Sequence, residues 1–174
     1  MLIDLSKLLQ NEGDSIEISV PLEMNEISFQ MGTYPIKKKN PVFVKAVHEK
    51  ERTLRIEFRE ELQVEIPCGR CLSPVLVPFE LNGEYKVDMK LTGQEREKLL
   101  DETEFIQGES LDADILIRNE LLTQWPIRVL CKEDCKGICS RCGANLNERD
   151  CGCENDSGDP RMAAIKDIFS KFNQ

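Results

Sequence analysis

The sequence predicts an α+β protein: an antiparallel β-sheet with one packed central helix, followed by a Cys-rich zinc-binding segment and a C-terminal helix. Apolar and polar residues alternate in several runs between residues 15 and 88, which is typical of strands with one buried face. A helical pattern then covers residues 110–125, and six of the eight cysteines lie within residues 131–153. Because the strands follow one another as hairpins, an open sheet and a barrel-like sheet fit the pattern equally well.

The first 40 residues give a mixed pattern. Residues 4–10 predict a short helix, because their leucines fall on one helical face. Residues 15–22 predict a strand, in which every second residue from 16 to 20 is apolar. We expect residues 23–40 to be irregular, because glycine, proline and a run of lysines interrupt any periodicity.

The middle of the chain predicts hairpins. The polar segment 49–52 joins two alternating runs, and residues 68–71 lie at the turn between two more. The first Cys-x-x-Cys pair therefore falls at a strand-to-strand turn. The apolar residues of these runs are Val42, Val44 and Ala46; Leu54, Ile56 and Phe58; Leu62, Val64 and Ile66; and Val75, Val77, Phe79, Leu81, Tyr85 and Val87.

The central helix follows a charged stretch, residues 92–104, that fits a loop or a short exposed helix. Phe105 and Ile106 fit one more short strand. Ser110 is a good N-cap for the helix, and Pro126 ends it. We expect the tryptophan at the end of the helix to anchor it on the sheet. The predicted apolar stripe consists of Leu111, Ile115, Leu122 and Trp125.

The pattern divides the chain into three parts. An α+β sheet domain covers residues 1–126, a Cys-rich metal-binding segment packed on it covers 127–153, and a linker with the C-terminal helix covers 154–174. Asp159 and Pro160 are typical of a helix start. The apolar face of this helix fits packing on the sheet or binding of a partner. Its apolar residues are Met162, Ile165, Phe169 and Phe172.

Composition and charge limit the possible functions. The chain has 174 residues, of which 40% are hydrophobic, so it is long enough to bury a core. Its formal net charge of -9 argues against bulk binding to nucleic acid, which depends on lysine and arginine replacing counterions. The N-terminal residues lack a secretory pattern, and no apolar run approaches the length of a membrane span. We therefore expect a cytoplasmic protein with no membrane partner, in which reduced cysteines serve metal or redox chemistry.

Zinc is the cofactor that the cysteines predict, with one or two ions per chain. Zn²⁺ prefers four tetrahedral thiolates, and two cysteines separated by two residues bind one metal well. One partition gives two sites of four, although the Cys-Gly-Cys sequence at 151–153 is a strained bite for one metal. A single site with leftover cysteines also fits. The two predicted sites are Cys68, Cys71, Cys131 and Cys135, which would link the sheet turn to the segment after the helix, and Cys139, Cys142, Cys151 and Cys153.

Two other interpretations of the cysteines need no metal. They could be reduced thiols in a loop, although six in so short a polar segment are hard to explain by packing. Cys68 and Cys71 also resemble a thioredoxin pair, but such a pair opens a helix, whereas a strand follows here. The one histidine, His48, ends a strand and fits packing better than metal ligation. With no phosphate-binding loop or zinc-protease motif, we expect no enzyme and no small-molecule substrate.

Five basic residues are candidate contacts to RNA or to a protein partner. Three of them form the run Lys37-Lys38-Lys39, which is the densest basic spot of the chain and also fits a solvated loop tip. The other two, Arg70 and Arg141, lie inside the two Cys-x-x-Cys pairs.

Four segments of the chain resemble one known family. They are Pro67–Leu72, which closes a strand; residues 121–126, where the helix ends; the cysteine run 130–147, which is the most specific; and Asp159–Arg161, which opens the last helix. Together they resemble the YceD family, over nearly the whole chain. This family is associated with accumulation of the large-subunit ribosomal RNA in bacteria and has relatives in chloroplasts.

The resemblance implies a non-enzymatic factor that supports accumulation or processing of large-subunit (23S) ribosomal RNA and ribosome biogenesis. Its implied partner is a ribosome assembly intermediate, reached through a ribosomal protein or through the rRNA. Residues 128–153 carry five basic and four acidic side chains, and each zinc with four thiolates adds about -2. This charge favours an adaptor that binds a basic protein over an RNA clamp. Two other functions fit the sequence: a zinc-stapled adaptor unrelated to ribosomes, and a thiol-disulfide redox protein.

Overall fold

The structure is a computed structural model that describes residues 1–98 and 103–153. The predicted linker and C-terminal helix at 154–174 lie outside the described residues. So does part of the charged stretch between the last long strand and the central helix.

The chain forms two compact units. One consists of Met1–Gly69 with Ser73–Glu133, and the other of Arg70–Leu72 with the chain from Asp134 onward. The predicted domain boundaries stay predictions. The strands are β1 (Leu2–Asp4), β2 (Ser15–Val20), β3 (Glu26–Phe29), β4 (Gly32–Lys39), β5 (Val42–His48), β6 (Thr53–Pro67), β7 (Pro74–Asp88), β8 (Ile106–Gln107) and β9 (Ser110–Asp112); the helices are α1 (Gly93–Lys98) and α2 (Ala113–Thr123), with 3-10 turns at Leu8–Gln10 and Lys50–Arg52.

β6 organises the main sheet of the first unit. The strand order is β2-β5-β6-β4-β3, with β7 also paired to β6, and every pair is antiparallel. β5 pairs with the first half of β6 and β4 with the second half, while β7 runs along all of it. Among the described strands no pairing joins β2 to β3, so the sheet is open there.

The length of β6 follows from its hydrophobic pattern. The apolar residues of both alternating runs predicted within it fall at even-numbered positions. A single continuous strand therefore points both runs to the core. One buried position of this strand holds a charged residue, Glu60. The buried apolar residues of β6 are Leu54, Ile56, Phe58, Leu62, Val64 and Ile66, and those of β7 are Phe79, Leu81 and Val87.

The prediction that residues 23–40 are irregular is wrong. They contain the β3–β4 hairpin, which turns at Gly32 and pairs through β4 with β6. The register of β4 shifts between Ile36 and Lys38, and this irregularity breaks the period-2 pattern that would have revealed the strand. The three lysines therefore lie at the end of a strand rather than at a loop tip.

The predicted helix at residues 4–10 is also wrong. β1 ends at Asp4 and pairs with β9, and only Leu8–Gln10 forms a 3-10 turn. A local pattern could not show this, because Leu2 pairs with Asp112 far along the chain. β8 joins the other edge of β9, which confirms the short strand predicted near Ile106.

The central helix is present but begins later than predicted. Ser110 lies in β9, and Asp112 is the N-cap: its Oδ1 accepts the N–H of Asp114 at 3.0 Å and of Ile115 at 3.3 Å. The face that packs on the core also differs from the predicted stripe, of which Leu122 is 37% exposed. The buried residues of α2 are Ala113, Leu116, Ile117 and Leu121.

Trp125 anchors the end of α2 on the sheet, as predicted. Its ring meets Phe29 edge-on at 4.7 Å, lies 4.9 Å from Tyr34 and stacks on Phe79 at 5.9 Å between centroids. These rings come from β3, β4 and β7, so the tryptophan ties the helix to three strands.

The α+β description is right only in part, because sheet dominates the described residues. The antiparallel sheet is as predicted, and the charged stretch does contain a short helix, α1. Neither of the two α-helices described has the length and apolar character that a membrane crossing requires.

Gly83 lets the ring of Phe58 lie against β7. The two residues are partners in the β6–β7 ladder, and a Cβ on Gly83 would lie 2.8 Å from Cε1 of that ring. Phe58 is buried, and its ring stacks on Tyr85 at 6.1 Å. The ring therefore has little freedom to move aside.

We expect Gly83→Ala to lower the free energy of unfolding by about 1–2 kcal/mol, because the ring must shift within a packed core. Thermal unfolding followed by circular dichroism measures the effect. The control is Gly93→Ala in α1, where a Cβ would meet nothing within 4 Å, and its Tm should not fall. A Gly83→Ala protein as stable as wild type would show that the ring moves freely.

Glu60 is a buried acid at the point where β6 changes its partner from β5 to β4. Its side chain is on the core face, and Oε1 accepts the N–H of Asn40 at 3.0 Å. Its Oε2 is buried with no hydrogen-bond partner among the described residues. Burial raises the pKa of Glu60 to about 7, although the N–H of Asn40 lowers it in part.

Because its pKa is raised, Glu60 binds its proton more tightly in the native state than in the unfolded chain. The free energy of unfolding is therefore highest below pH 4.5, falls as the pH rises from there to about 7, and changes no further once Glu60 is ionised in both states. Glu60→Gln should remove this loss, so its Tm relative to wild type should increase between about pH 4.5 and about pH 7.5. Glu84→Gln, at an exposed position of β7, is the control. An equal Tm difference at both pH values would contradict the raised pKa.

Candidate metal centres

The first Cys-x-x-Cys pair occupies the turn that joins β6 to β7. The ladder ends at the pair Pro67–Pro74, and the N–H of Cys68 then donates to the carbonyl oxygen of Ser73 at 2.8 Å. Both cysteines of this pair are buried. Strand pairing therefore continues directly into the turn that presents the two sulfurs.

The second pair lies in a turn of the same kind, within the second unit. The N–H of Cys139 donates to the carbonyl oxygen of Ala144 at 2.8 Å, and that of Gly143 donates to the carbonyl oxygen of Cys139 at 2.9 Å. Gly143 has a φ of 71°, in the left-handed region where glycine is free of strain. An antiparallel bridge between Ile138 and Asn145 closes the turn.

The sulfur atoms of the eight cysteines fall into two groups of four. Within each group all sulfurs lie within 4.8 Å of one another. Gly152, with a φ of 64°, lies between the two cysteines whose close spacing looked strained for one metal. The groups are Cys68, Cys71, Cys131 and Cys135, and Cys139, Cys142, Cys151 and Cys153, which is the partition that the spacing suggested.

Four thiolates at this separation fit a tetrahedral metal ion. With Zn–S bonds of about 2.3 Å, a tetrahedral zinc holds its sulfurs about 3.8 Å apart, which is inside the observed limit. Four protein ligands leave no open position, as is typical of structural zinc sites rather than catalytic ones. Each group could therefore hold one ion. That these eight cysteines are ligands stays a prediction.

The backbone of the second turn favours a thiolate at Cys139. The N–H of Cys142 and then that of Arg141 hydrogen-bond to its sulfur, and together with the Cys151 thiol they lower the pKa of Cys139 to about 6. The turn thus stabilises one negative sulfur before any cation is present.

The pKa values of two other cysteines in this group, Cys151 and Cys153, are raised rather than lowered. Hydrogen bonding with the sulfurs of Cys151 and Cys142 raises the pKa of Cys153 to about 12. At Cys151 the N–H of Cys153 lowers the pKa, but the sulfur of Cys139 and burial outweigh it, so the pKa is raised. Sulfurs this close repel one another as thiolates, and a bound cation is what would allow all four to ionise together.

Asn147 contacts a sulfur, although the sequence pattern did not single it out. Its Nδ2 donates to Sγ of Cys135 at 3.3 Å, and its Oδ1 accepts the N–H of Lys136 at 2.9 Å. An amide placed in this way would orient the sulfur for a metal ion without being a ligand itself. No spacing rule marks it, because it is one of several polar residues in the loop between the cysteines.

The three lysines of the run Lys37-Lys38-Lys39 have different surroundings. The ammonium group of Lys39 donates to three oxygens of residues 22–25 at 2.6 to 3.0 Å, which fixes the chain before β3. Lys37 lies 3.5 Å from a carboxylate oxygen of Glu65, and Lys38 is exposed. Lys39 thus has a structural role, and a contact to RNA or protein stays a prediction for this run.

The two arginines also differ in their surroundings. Nη1 of Arg70 donates to the carbonyl oxygen of Cys135 at 2.8 Å, so this side chain helps to hold the loop beside its cysteine. Arg141 is exposed. His48 belongs to neither sulfur group: it is buried, and its Nδ1 lies 2.8 Å from the carbonyl oxygen of Asn11, which suits the packing role expected for it.

The chain is similar to proteins of one family. The family model described as "Large ribosomal RNA subunit accumulation protein YceD" matches residues 56–169. The uncharacterized protein YlbN of Bacillus subtilis is 24% identical over 173 residues, which cover 97% of this chain and 96% of the relative.

Two further relatives match over shorter regions. The Arabidopsis thaliana protein named "Large ribosomal RNA subunit accumulation protein YCED homolog 1, chloroplastic" is 31% identical over 64 residues, covering 37% of this chain and 20% of the relative. The uncharacterized protein Rv2926c of Mycobacterium tuberculosis is 29% identical over 104 residues, covering 59% of this chain and 49% of the relative. No solved structure matches the chain.

Proposed function

The chain belongs to the YceD family, and from this premise we propose that it is a non-enzymatic factor that supports the accumulation of large-subunit (23S) ribosomal RNA during ribosome biogenesis. The family model carries this proposal, because it spans most of β6, all of β7, the central helix and all eight cysteines. The name of the plant relative points to the same process. We place this activity in the cytoplasm.

The cysteine geometry supports a structural role for these residues rather than a catalytic one. Two sets of four sulfurs suit closed metal sites, in which no position is left for a substrate or a reactive water. In the redox alternative, Cys68 and Cys71 would be the reactive pair. Their turn is flanked by strands on both sides, so no helix N-terminus is present there to stabilise a thiolate.

We propose that each set binds one Zn²⁺ and that the second unit depends on its ion for folding. The described part of that unit contains one isolated bridge and no helix or strand. Its buried side chains are small: three cysteines and Ala144. In the part of this unit that the structure describes, so little apolar surface is buried that it would not offset the entropy of ordering the loops, and metal ligation would supply the missing free energy.

Elemental analysis of the protein purified under reducing conditions should find two zinc ions per chain. Replacing both Cys139 and Cys142 by serine should remove one ion, because a tetrahedral site cannot close with two thiolates. Ser140→Ala, between the same two cysteines, is the control and should keep both ions. Wild-type protein without bound metal would contradict the zinc proposal and leave only the thiol interpretations.

The partner is best described as a ribosome assembly intermediate that is reached through a basic protein. The net charge of -9 disfavours a broad contact with RNA phosphates, and thiolate-bound zinc would make the cysteine region more negative. Ribosomal proteins that bind rRNA are rich in lysine and arginine, so their charge complements this chain. Direct RNA contact would then be limited to isolated cations such as Lys38 and Arg141.

Deleting the gene should lower the amount of large-subunit rRNA relative to small-subunit rRNA, as measured by quantitative RNA analysis. A tagged copy should restore the ratio and should sediment with large-subunit precursor particles in a density gradient. The serine variant at Cys139 and Cys142 should fail in both assays, while Ser140→Ala should succeed. Normal rRNA ratios in the deletion strain, with no tagged protein in particle fractions, would refute the proposed function.

A further inference from the structure

Two cysteines that are close in the chain belong to different sulfur groups. Cys135 belongs to the group that contains Cys68, which we call the first group, and Cys139 belongs to the other, which we call the second group. Three residues separate the two cysteines. An ordered backbone over this short segment would therefore link the position of a sulfur in one group to the position of a sulfur in the other.

This segment is one side of a short antiparallel ladder within the second unit. Its residues 136–139 pair with residues 144–147, which lie in the loop between Cys142 and Cys151. The loop thus begins and ends at cysteines of the second group. The backbone contacts are the N–H of Cys139 to the carbonyl oxygen of Ala144 at 2.8 Å, the bridge between Ile138 and Asn145, and the N–H of Leu146 to the carbonyl oxygen of Gly137 at 2.9 Å.

Asn147, at the end of this ladder, brings its amide to the sulfur of Cys135. Its Oδ1 accepts the N–H of Lys136 at 2.9 Å, while its Nδ2 donates to Oδ1 of Asn145 at 2.8 Å and to Sγ of Cys135 at 3.3 Å. An amide has one acceptor oxygen and two N–H donors, and all three are used here. Exchanging the oxygen and the nitrogen would place a donor against the N–H of Lys136. The amide is therefore held in one orientation, with an N–H toward the sulfur.

The position of Asn147 depends on the second group. An ion bound by Cys142 and Cys151 would close the loop between them and order residues 144–147 against the facing segment. The amide of Asn147 would then meet Cys135 without a further loss of chain entropy. Because an N–H that donates to a thiolate stabilises its charge, an ion in the second group would make the first group a better set of ligands.

We propose that Asn147 positions Cys135 for its metal ion and that, through this contact, an ion in the second group raises the affinity of the first group for Zn²⁺. Because such a coupling is reciprocal, an ion in the first group raises the affinity of the second by the same factor. The amide is not a ligand, so it acts on the ion only through the sulfur. This inference rests on the proposed binding of zinc by both groups and adds that the two ions are not bound independently.

Two exposed cysteines report the two groups separately. Cys131 belongs to the first group and Cys142 to the second, so each should react with a maleimide unless a metal ion is bound to it. The full chain, freed of metal without oxygen, is incubated at a series of buffered free Zn²⁺ concentrations, alkylated and digested for mass spectrometry. The free Zn²⁺ concentration at which half of Cys131 is protected measures the affinity of the first group.

Asn147→Ala should raise this concentration at least about tenfold, because the contact that positions Cys135 is lost. Replacing Cys139 and Cys142 by serine should also raise it, because the loop no longer closes and the amide is no longer held against the sulfur. In this serine variant Asn147→Ala should add nothing further, since the same contact cannot be lost twice. Asn82→Ala, at an exposed asparagine of β7, is the control and should match wild type.

Cobalt distinguishes a lost contact to the sulfur from a general change in the loop. Co²⁺ bound by thiolates absorbs light, whereas Zn²⁺ with its filled d shell does not. The sulfur-to-cobalt charge-transfer energy falls when a thiolate loses a hydrogen-bond donor, because its electrons are less stabilised. With both groups loaded, Asn147→Ala should therefore shift the charge-transfer band to longer wavelength. Asn82→Ala and Ser140→Ala should leave the band unchanged.

Each outcome decides between the claims. If Asn147→Ala leaves the protection of Cys131 or the cobalt band unchanged, the amide does not position the sulfur, although the zinc proposal stands. If Asn147→Ala weakens binding as strongly in the serine variant as in wild type, the two groups are not coupled through this residue. If Zn²⁺ protects neither Cys131 nor Cys142 in wild type, the zinc proposal fails and this inference fails with it. The role in rRNA accumulation is tested independently by the deletion strain.

Discussion

Fifteen consecutive residue pairs between β6 and β7 are the interaction on which the first unit depends. β5 and β4 share the opposite edge of β6, so the long hairpin is the template for both. Its register places Gly83 under Phe58 and turns the alternating apolar residues of both strands to the core. The same ladder runs directly into the turn that carries Cys68. The pairing of β6 with β7 therefore also positions the turn that carries the first cysteine pair.

The features that local chemistry determines were predictable from the sequence. Period-2 alternation predicted the strands around Val44, Ile56 and Phe79, and the Cys-x-x-Cys spacing suggested how the sulfurs group, because the turn that brings two thiols together is local. Two strands were missed for different reasons. β1 forms because Leu2 pairs with Asp112, far along the chain. The register shift within β4 breaks the alternation by which a strand is recognised. The contact of Asn147 with a sulfur likewise appears only when its loop is folded.

Different interactions hold the two units together. In the first unit, strands and α2 bury a continuous apolar core, with aromatic rings gathered around Trp125. The described part of the second unit has turns, side-chain hydrogen bonds from Arg70 and Asn147, and a set of four sulfurs in place of a core. If the sulfurs bind metal as proposed, the second unit would be lost first when metal is scarce, since the hydrophobic effect stabilises the first unit independently.

β7 pairs with β6 and, among the described strands, with no other, so its second edge carries backbone groups that could join a strand of another molecule. Pro74 and Pro78 interrupt this edge, because proline has no N–H to donate. In the C-terminal half of β7, several of the exposed side chains are charged, including Glu80 and Glu84. Such an edge is a poor template for aggregation, and this protects the protein at the stage of synthesis when β7 has emerged from the ribosome and α2 has not yet covered the sheet.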